Sequence, residues 1–205
     1  MARHGQTESN LLSRYAGFSS EPITRVGRAQ MMDLATRLEL CGIAEIWTSD
    51  VARARESADL VGQVFRVPVR ADPRLNEMRL GPWEGLTEVE VAATFPAEYA
   101  LWCAAPDQVE LKGRETLTAL ADRVANVVLE AARQCRPVLL MTHVAPIRVA
   151  VLTTLGVPLR YYRRMEVRNG ECVIVDRDTL DVSRLVEARS LRSDLPGSQA
   201  REPLP

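Results

Sequence analysis

The chain of 205 residues has two histidines, His4 and His143, and each stands in a context that could serve an anionic substrate. His4 lies in the run Arg3-His4-Gly5-Gln6-Thr7, and His143 follows the apolar run Val138-Leu139-Leu140-Met141 and Thr142. An imidazole can attack phosphorus and hold the phosphoryl group as phosphohistidine. A phosphoryl group brings about two negative charges, and the guanidinium fork matches its oxygens in a bidentate way. Arg3 adjoins His4, Arg53 sits at a strand-to-helix turn, and a protonated His143 would be a third donor. The leaving alkoxide needs an acid, and Glu77 is the candidate. Spacing alone does not join these groups. Arg55 competes with Arg53, and Glu84 and Glu88 compete with Glu77. For His143 the alternative is a strand-end histidine satisfied by backbone.

These side chains need a scaffold that brings distant positions together. Met31, Leu34, Ala35 and Leu38 predict an amphipathic helix over 27–40, ended by Gly42. A short strand over 44–47, a helix over 51–65 and a weak strand over 67–69 come next. Leu117, Leu120, Ala121, Val124, Val127, Val128 and Ala131 form the longest helical stripe. Beyond Pro137, residues 138–141 read as a buried parallel strand. A helix over 144–155 stops at Gly156 and Pro158. Segments 171–175 and 182–186 read as closing strands. The alternation implies an α/β fold, three layers α/β/α with a mostly parallel central sheet. Ligands bind such sheets beyond the carboxyl ends of the strands, where Thr48-Ser49-Asp50 and Thr142-His143 fall. One domain is expected over 1–188, with an insertion or lid over 85–114 and a polar, Pro-rich disordered tail over 189–205.

Composition narrows the classes. The chain is 46% hydrophobic and 26% charged, as for a soluble globular domain. A net charge of -1 gives no electrostatic reason to expect nucleic acid or an anionic membrane. No apolar run approaches a membrane span and no apolar h-region follows Met1, so a cytoplasmic location is expected. Cys41, Cys103, Cys135 and Cys172 form no C-x-x-C pair and read as partly buried thiols rather than disulfides or a zinc site. Trp83 and Trp102 could line a substrate pocket, but core packing is the stronger reading for each. Arg160, Arg163 and Arg164 with Tyr161 and Tyr162 could bind an anionic substrate tail or RNA, but in so Arg-rich a chain a solvated face is the stronger reading.

Five ordered blocks carry a resemblance to a known family. Arg3-His4-Gly5-Gln6-Thr7-Glu8-Ser9-Asn10 resembles R-H-G-x-T-x-x-N. Gly17, Ile23-Thr24, Gly27 and Gln30 resemble G…L-T-x-x-G-x-x-Q. Ser49 to Ala54 with Ser57-Ala58 is similar to S-x-L-x-R-A-x-x-T-A, and Leu75-Asn76-Glu77 with Gly81 to Gly85 to L-x-E-x-x-x-G-x-W-E-G. Thr142-His143 with Ile147-Arg148 resembles S-H-G-x-x-I-R. By these blocks the chain resembles the histidine phosphatase superfamily, in its phosphoglycerate-mutase-like branch.

The resemblance implies that His4 is the phosphorylated nucleophile and that Arg3, Arg53 and His143 surround the phosphate. It implies Asn10 and nearby backbone N–H groups as further donors, and substrate contacts at Gly17 and Val144. Glu77 would protonate the leaving oxygen and then activate water. Family members need no metal, and no cofactor is expected for this chain. The implied activity is hydrolysis of a small phosphorylated metabolite; a cofactor-dependent phosphoglycerate mutase and a non-catalytic phosphate-binding module are the alternatives. The interval between Glu77 and His143 is short for a mutase. A monomer or homodimer is expected. Three departures stand out. Only Met1-Ala2 precede Arg3, where the family has a longer central strand, so His4 is expected to be poorly anchored and the true start to lie upstream. Val144-Ala145 replace small residues after the second histidine, and Gln6 replaces a common Glu.

Overall fold

A computed structural model describes residues 1–176 and 182–184. Its central sheet has four parallel strands in the order β1 (Ala2–Arg3), β4 (Val138–Thr142), β2 (Glu45–Thr48) and β3 (Val69–Ala71). Helices α2 (Arg25–Leu38) and α3 (Ala52–Phe65) cover one face, and α6 (Leu117–Ala132) and α7 (Val144–Thr154) cover the other. The fold is the expected three-layer α/β/α arrangement.

The two-faced core arises from the strand period. In β4, Leu140 faces the α6–α7 side, while Leu139 and Met141 face the α2–α3 side. In β2, Trp47 and Ile46 divide in the same way. The stripe Leu117, Leu120, Ala121, Val124, Val127 is the buried face of α6, and Met31, Leu34, Ala35, Leu38 that of α2. Thr24 caps α2 by accepting from the Gly27 N–H. The third strand runs Val69–Ala71, slightly beyond the 67–69 read from sequence.

The short first strand is held from both sides, which corrects the expected poor anchoring of His4. β1 pairs with β4, with Ala2 opposite Met141 and Arg3 opposite Thr142. Its other edge meets the segment before the antiparallel pair β5 (Val173–Val175) and β6 (Val182–Arg184). There the Arg3 N–H donates to Glu171 O at 2.9 Å and the Val173 N–H to Met1 O at 2.8 Å. Two residues suffice because both edges of the strand are paired. His4 is 2% exposed.

A close backbone crossing fixes the path of the chain beyond His4. A Cβ on Gly5 would stand 2.5 Å from Gly27 O, and one on Gly27 would stand 2.4 Å from Gln6 O. Backbone cannot yield as a side chain can, so only glycine fits at either position. Gly5→Ala is expected to destabilise the protein by about 1–3 kcal/mol, read as a lower urea midpoint at unchanged slope. An unchanged midpoint would show that the crossing is loose.

The 85–114 stretch contains α4 (Glu88–Thr94), α5 (Pro96–Ala104) and a turn at Pro106–Gln108; α1 (Glu8–Leu11) is the short helix after His4. Among the described residues, no helix is long and apolar enough to cross a membrane. The cysteines differ from expectation: Cys172 is buried and Cys41 partly so, but Cys103 and Cys135 are exposed, because each sits near a helix end facing outward. The 189–205 tail lies outside the described residues.

Candidate active site

The carboxyl ends of β1, β4, β2 and β3 open at one end of the sheet, and each delivers a predicted group. His4 follows β1, His143 caps α7 after β4, Arg53 lies in the first turn of α3 after β2, and Glu77 follows β3. Arg3, His4, Asn10, Gly17, Arg53, Glu77 and Val144 line one cavity of about 300 Å³. His143 is fully buried beside it, its ring edge-on to that of His4 with centroids 5.0 Å apart. The rivals Arg55 and Glu84 do not line the cavity, whereas Glu88 does, at its rim.

The proton on His4 can be assigned. Its Nδ1 lies 2.7 Å from Gly5 O, and a carbonyl only accepts, so Nδ1 carries the hydrogen. Nε2 then bears the lone pair, and it accepts from Arg53 Nε–H at 3.1 Å. Burial, followed by the Arg53 and Arg3 cations, holds the His4 pKa well below the usual histidine value. His4 is therefore a neutral imidazole with its nucleophilic nitrogen beside a guanidinium.

Arg53 is 1% exposed, and its other nitrogens donate to Gly17 O at 2.7 Å and Ser19 O at 3.4 Å. Gly17 has φ +50°, and a Cβ there would stand 2.4 Å from the Glu84 side chain. The turn that presents its carbonyl to Arg53 thus needs glycine. Arg3 donates to Val167 O at 2.7 Å, while its Nε is buried without a partner in the protein. Burial, opposed by Glu77, lowers the Arg3 pKa to about 10, so it remains charged. Asn10 uses its amide oxygen to accept from the Thr7 N–H and from Asn169 Nδ2. Its NH2 is the end left to donate into the cavity.

Glu77 is 8% exposed, with one oxygen accepting the Met78 N–H at 2.9 Å. Burial raises its pKa, against the pull of Arg53, Met78 N–H, Arg3 and Arg123. Arg123 braces the loop below, donating to Arg74 O, Asn76 O and Glu77 O while paired with Glu115. Thr142 Oγ1 donates to Leu75 O at 2.5 Å and pins the same loop to β4. His143 was expected as a cationic donor. Burial first, then Arg53, His4 and Arg3, instead keeps it neutral in the free protein.

Sequence reasoning missed Arg14 and Tyr15 in the outer wall, and it placed the pocket reading of Trp102, Tyr162 and Arg163 second to core packing or a solvated face. Tyr15, Arg14, Arg148, Trp102, Tyr162 and Arg163 all line the cavity. Tyr162 is 4% exposed and Arg163 pairs with Glu88 at 2.8 Å, so the 160–164 cluster is not wholly a solvated face. The 3-10 turn Leu159–Arg164 packs on α7 and turns these two residues inward. Arg160 and Arg164 instead lie over the Tyr161 ring. Trp102 packs against Trp83 and Tyr162, as expected of core, yet also reaches the cavity. Asn169 donates to His4 O at 3.1 Å and ties the first loop to the segment before β5. No local sequence pattern signals such long-range partners. Only Arg148 stood in a recognised block, without an assigned role.

Comparison with known proteins bears on the same residues. The family described as histidine phosphatase superfamily (branch 1) matches residues 1–185. A Proteus mirabilis protein named "Probable phosphoglycerate mutase GpmB" is 32% identical over 183 residues, covering 86% of this chain and 83% of that protein. Its Escherichia coli counterpart is 33% identical over 184 residues with the same coverage. Among solved structures, Bacillus stearothermophilus YhfR superposes with a TM-score of 0.78 at 29% identity, covering 85% of this chain and 89% of that one. A mycobacterial glucosyl-3-phosphoglycerate phosphatase does so with a TM-score of 0.74 at 28% identity, covering 83% and 85%. With the match running through β1, the Arg53 turn, Glu77 and His143 alike, the chain belongs to the histidine phosphatase superfamily, branch 1, and is an enzyme of the histidine-phosphatase type.

Proposed function

We propose that the chain hydrolyses a small phosphate monoester through a phosphohistidine on His4. One observation carries the reading: the bare Nε2 of a neutral His4 sits beside Arg53 in a cavity that also holds Glu77 and Arg3. Arg53 and Arg3 bind the phosphoryl oxygens, and Arg53 releases Nε2 as those oxygens take over its donors. Nε2 attacks phosphorus while Glu77, whose pKa burial raises, gives its proton to the leaving oxygen. The Glu77 carboxylate then takes a proton from water, which attacks the phosphohistidine and frees phosphate. Catalysis rests on positioning and on fixed charge. The helix α7 begins at the cavity with Val144 and Ala145, so its N-terminal field adds to the same effect.

The name borne by the Proteus and Escherichia relatives favours a second reading, a phosphoglycerate mutase. The same site would serve it by returning the phosphoryl group to an alcohol instead of to water. The short interval from Glu77 to His143 favours hydrolysis. A panel of phosphorylated metabolites, with free phosphate as the readout, decides. Steady phosphate release is expected. Interconversion of 3- and 2-phosphoglycerate primed by bisphosphoglycerate, with little free phosphate, would establish the mutase instead. Well-folded protein that does neither would end both readings.

A further inference from the structure

Ser49, Asn76 and His143 meet beside the cavity, and their hydrogen bonds can be assigned proton by proton. The Asp50 N–H points at one amide atom of Asn76, 2.7 Å away. An N–H meets only an acceptor, so that atom is Oδ1, and Nδ2 turns toward the Asp50 carboxylate at 3.4 Å. Ser49 Oγ lies 2.9 Å from the same Oδ1 and must give it its one hydrogen. The Ser49 oxygen can then only accept. It takes the Val51 N–H at 3.1 Å and faces His143 Nε2 at 2.8 Å. That nitrogen must therefore carry hydrogen. In a neutral His143 the bare atom is Nδ1, which is buried and has no partner in the protein. His4 is the reverse, with hydrogen on Nδ1 and a bare Nε2.

We propose that Asn76 and Ser49 are positioning residues that hold His143 as the Nε2–H tautomer, reserving Nδ1 for the proton it shares with the phosphoryl group. The proposal rests on the phosphoryl-transfer reading of this site. A phosphate monoester titrates near neutrality, so part of it arrives as a monoanion with one P–OH hydrogen. That proton passes from oxygen to Nδ1, leaving a dianion and an imidazolium whose Nδ1–H donates back to the same oxygen. No proton is gained or lost overall. The two rings are in edge-on contact, with centroids 5.0 Å apart, so a phosphoryl group bound at His4 lies next to His143. The charged groups facing His143 are Arg53 from α3, Arg3 beside β1 and Arg123 from α6, with His4 as the titratable neighbour. These cations oppose an imidazolium until an anion enters among them.

Two histidines make a direct test practicable. Long-range proton–nitrogen correlation spectra of the nitrogen-15-labelled protein distinguish a protonated ring nitrogen from a bare one, and His4→Asn identifies which ring is which. The expected result is opposite tautomers, with His143 protonated at Nε2. Titration with inorganic phosphate should then add hydrogen at His143 Nδ1. Ser49→Ala should release the tautomer and lower kcat by about 10–100-fold with little change in KM, and Ser49→Thr should restore both. Asn76→Asp keeps both acceptor functions and should retain Nε2–H. A His143 found with hydrogen on Nδ1 in the free protein would overturn the proposal. So would a Ser49→Ala protein with reduced kcat and an unchanged tautomer. The spectra of the unaltered protein decide the matter even if Ser49→Ala does not fold, or if no ester is hydrolysed.

Discussion

His4→Ala is expected to remove phosphate release almost entirely, with kcat lower by a factor on the order of 10⁴–10⁶. No other group stands ready to replace it. His143 is the other imidazole, but its Nε2 is committed to Ser49, and its Nδ1 is the nitrogen assigned above to a phosphoryl oxygen rather than to phosphorus. The loss should be chemical rather than structural. The His4 ring bonds to its neighbour Gly5 through Nδ1 and to Arg53 through Nε2, while its backbone bonds to Thr142 and Asn169 are kept in the variant, so the folded state should survive with Tm lowered by a few degrees. The decisive measurement is rapid quenching after exposure to a radiolabelled ester. The unaltered protein should carry acid-labile, base-stable label, and His4→Ala none. Turnover within tenfold of the original would remove His4 from the chemistry.

The second large effect is expected at Glu77, and it should depend on the leaving group. A buried, raised carboxyl keeps its proton to higher pH than an ordinary glutamic acid. It can thus act as an acid near neutrality, and activity on alkyl esters should fall on the alkaline side as that proton is lost. Glu77→Gln should cost about 10²–10⁴ on an alkyl phosphate and should erase that alkaline limb. With p-nitrophenyl phosphate the leaving group needs no proton, so phosphorylation of His4 should proceed. Return of the group to water should not, because the base is gone. A burst of nitrophenol equal to the enzyme, followed by slow turnover, is the expected trace. Equal losses on both esters, with no burst, would assign Glu77 to binding alone.

Local patterns made the helices and the four catalytic candidates readable in advance. The stripes of α2 and α6 match the 3.6-residue period closely, and both helices appear within about two residues of the sequence reading. The alanine after Arg53 and the Ser57-Ala58 pair beyond it select Arg53 over Arg55, and Arg53 but not Arg55 lines the cavity. What could not be read depends on partners far away in the chain. The stub at β1 reads as weak because its second edge is supplied by residues 171–173. Asn169, Arg123 and Tyr162 belong to no periodic pattern, and each matters through contacts more than 40 residues away in sequence, such as the 46 from Arg123 to Glu77. Arg114, read only as the end of the insertion, is a buried cation lying over Trp83 and Trp102. An arginine-rich sequence hides such a residue among its exposed ones.

The first strand's second edge has a consequence for biosynthesis. Arg3 donates to Val167 O across 164 residues, and Asn169 reaches His4 O across 165. A ribosome delivers the nucleophile first and its brace last. Until residues 167–173 leave the exit tunnel, the emerging chain holds His4 on the β4 flank only. Nascent chains arrested before that point should be inert toward phosphate esters even with α2, α3 and β2 already formed. Competence would then arrive in a single late step, as residues 167–173 close over the free edge of β1.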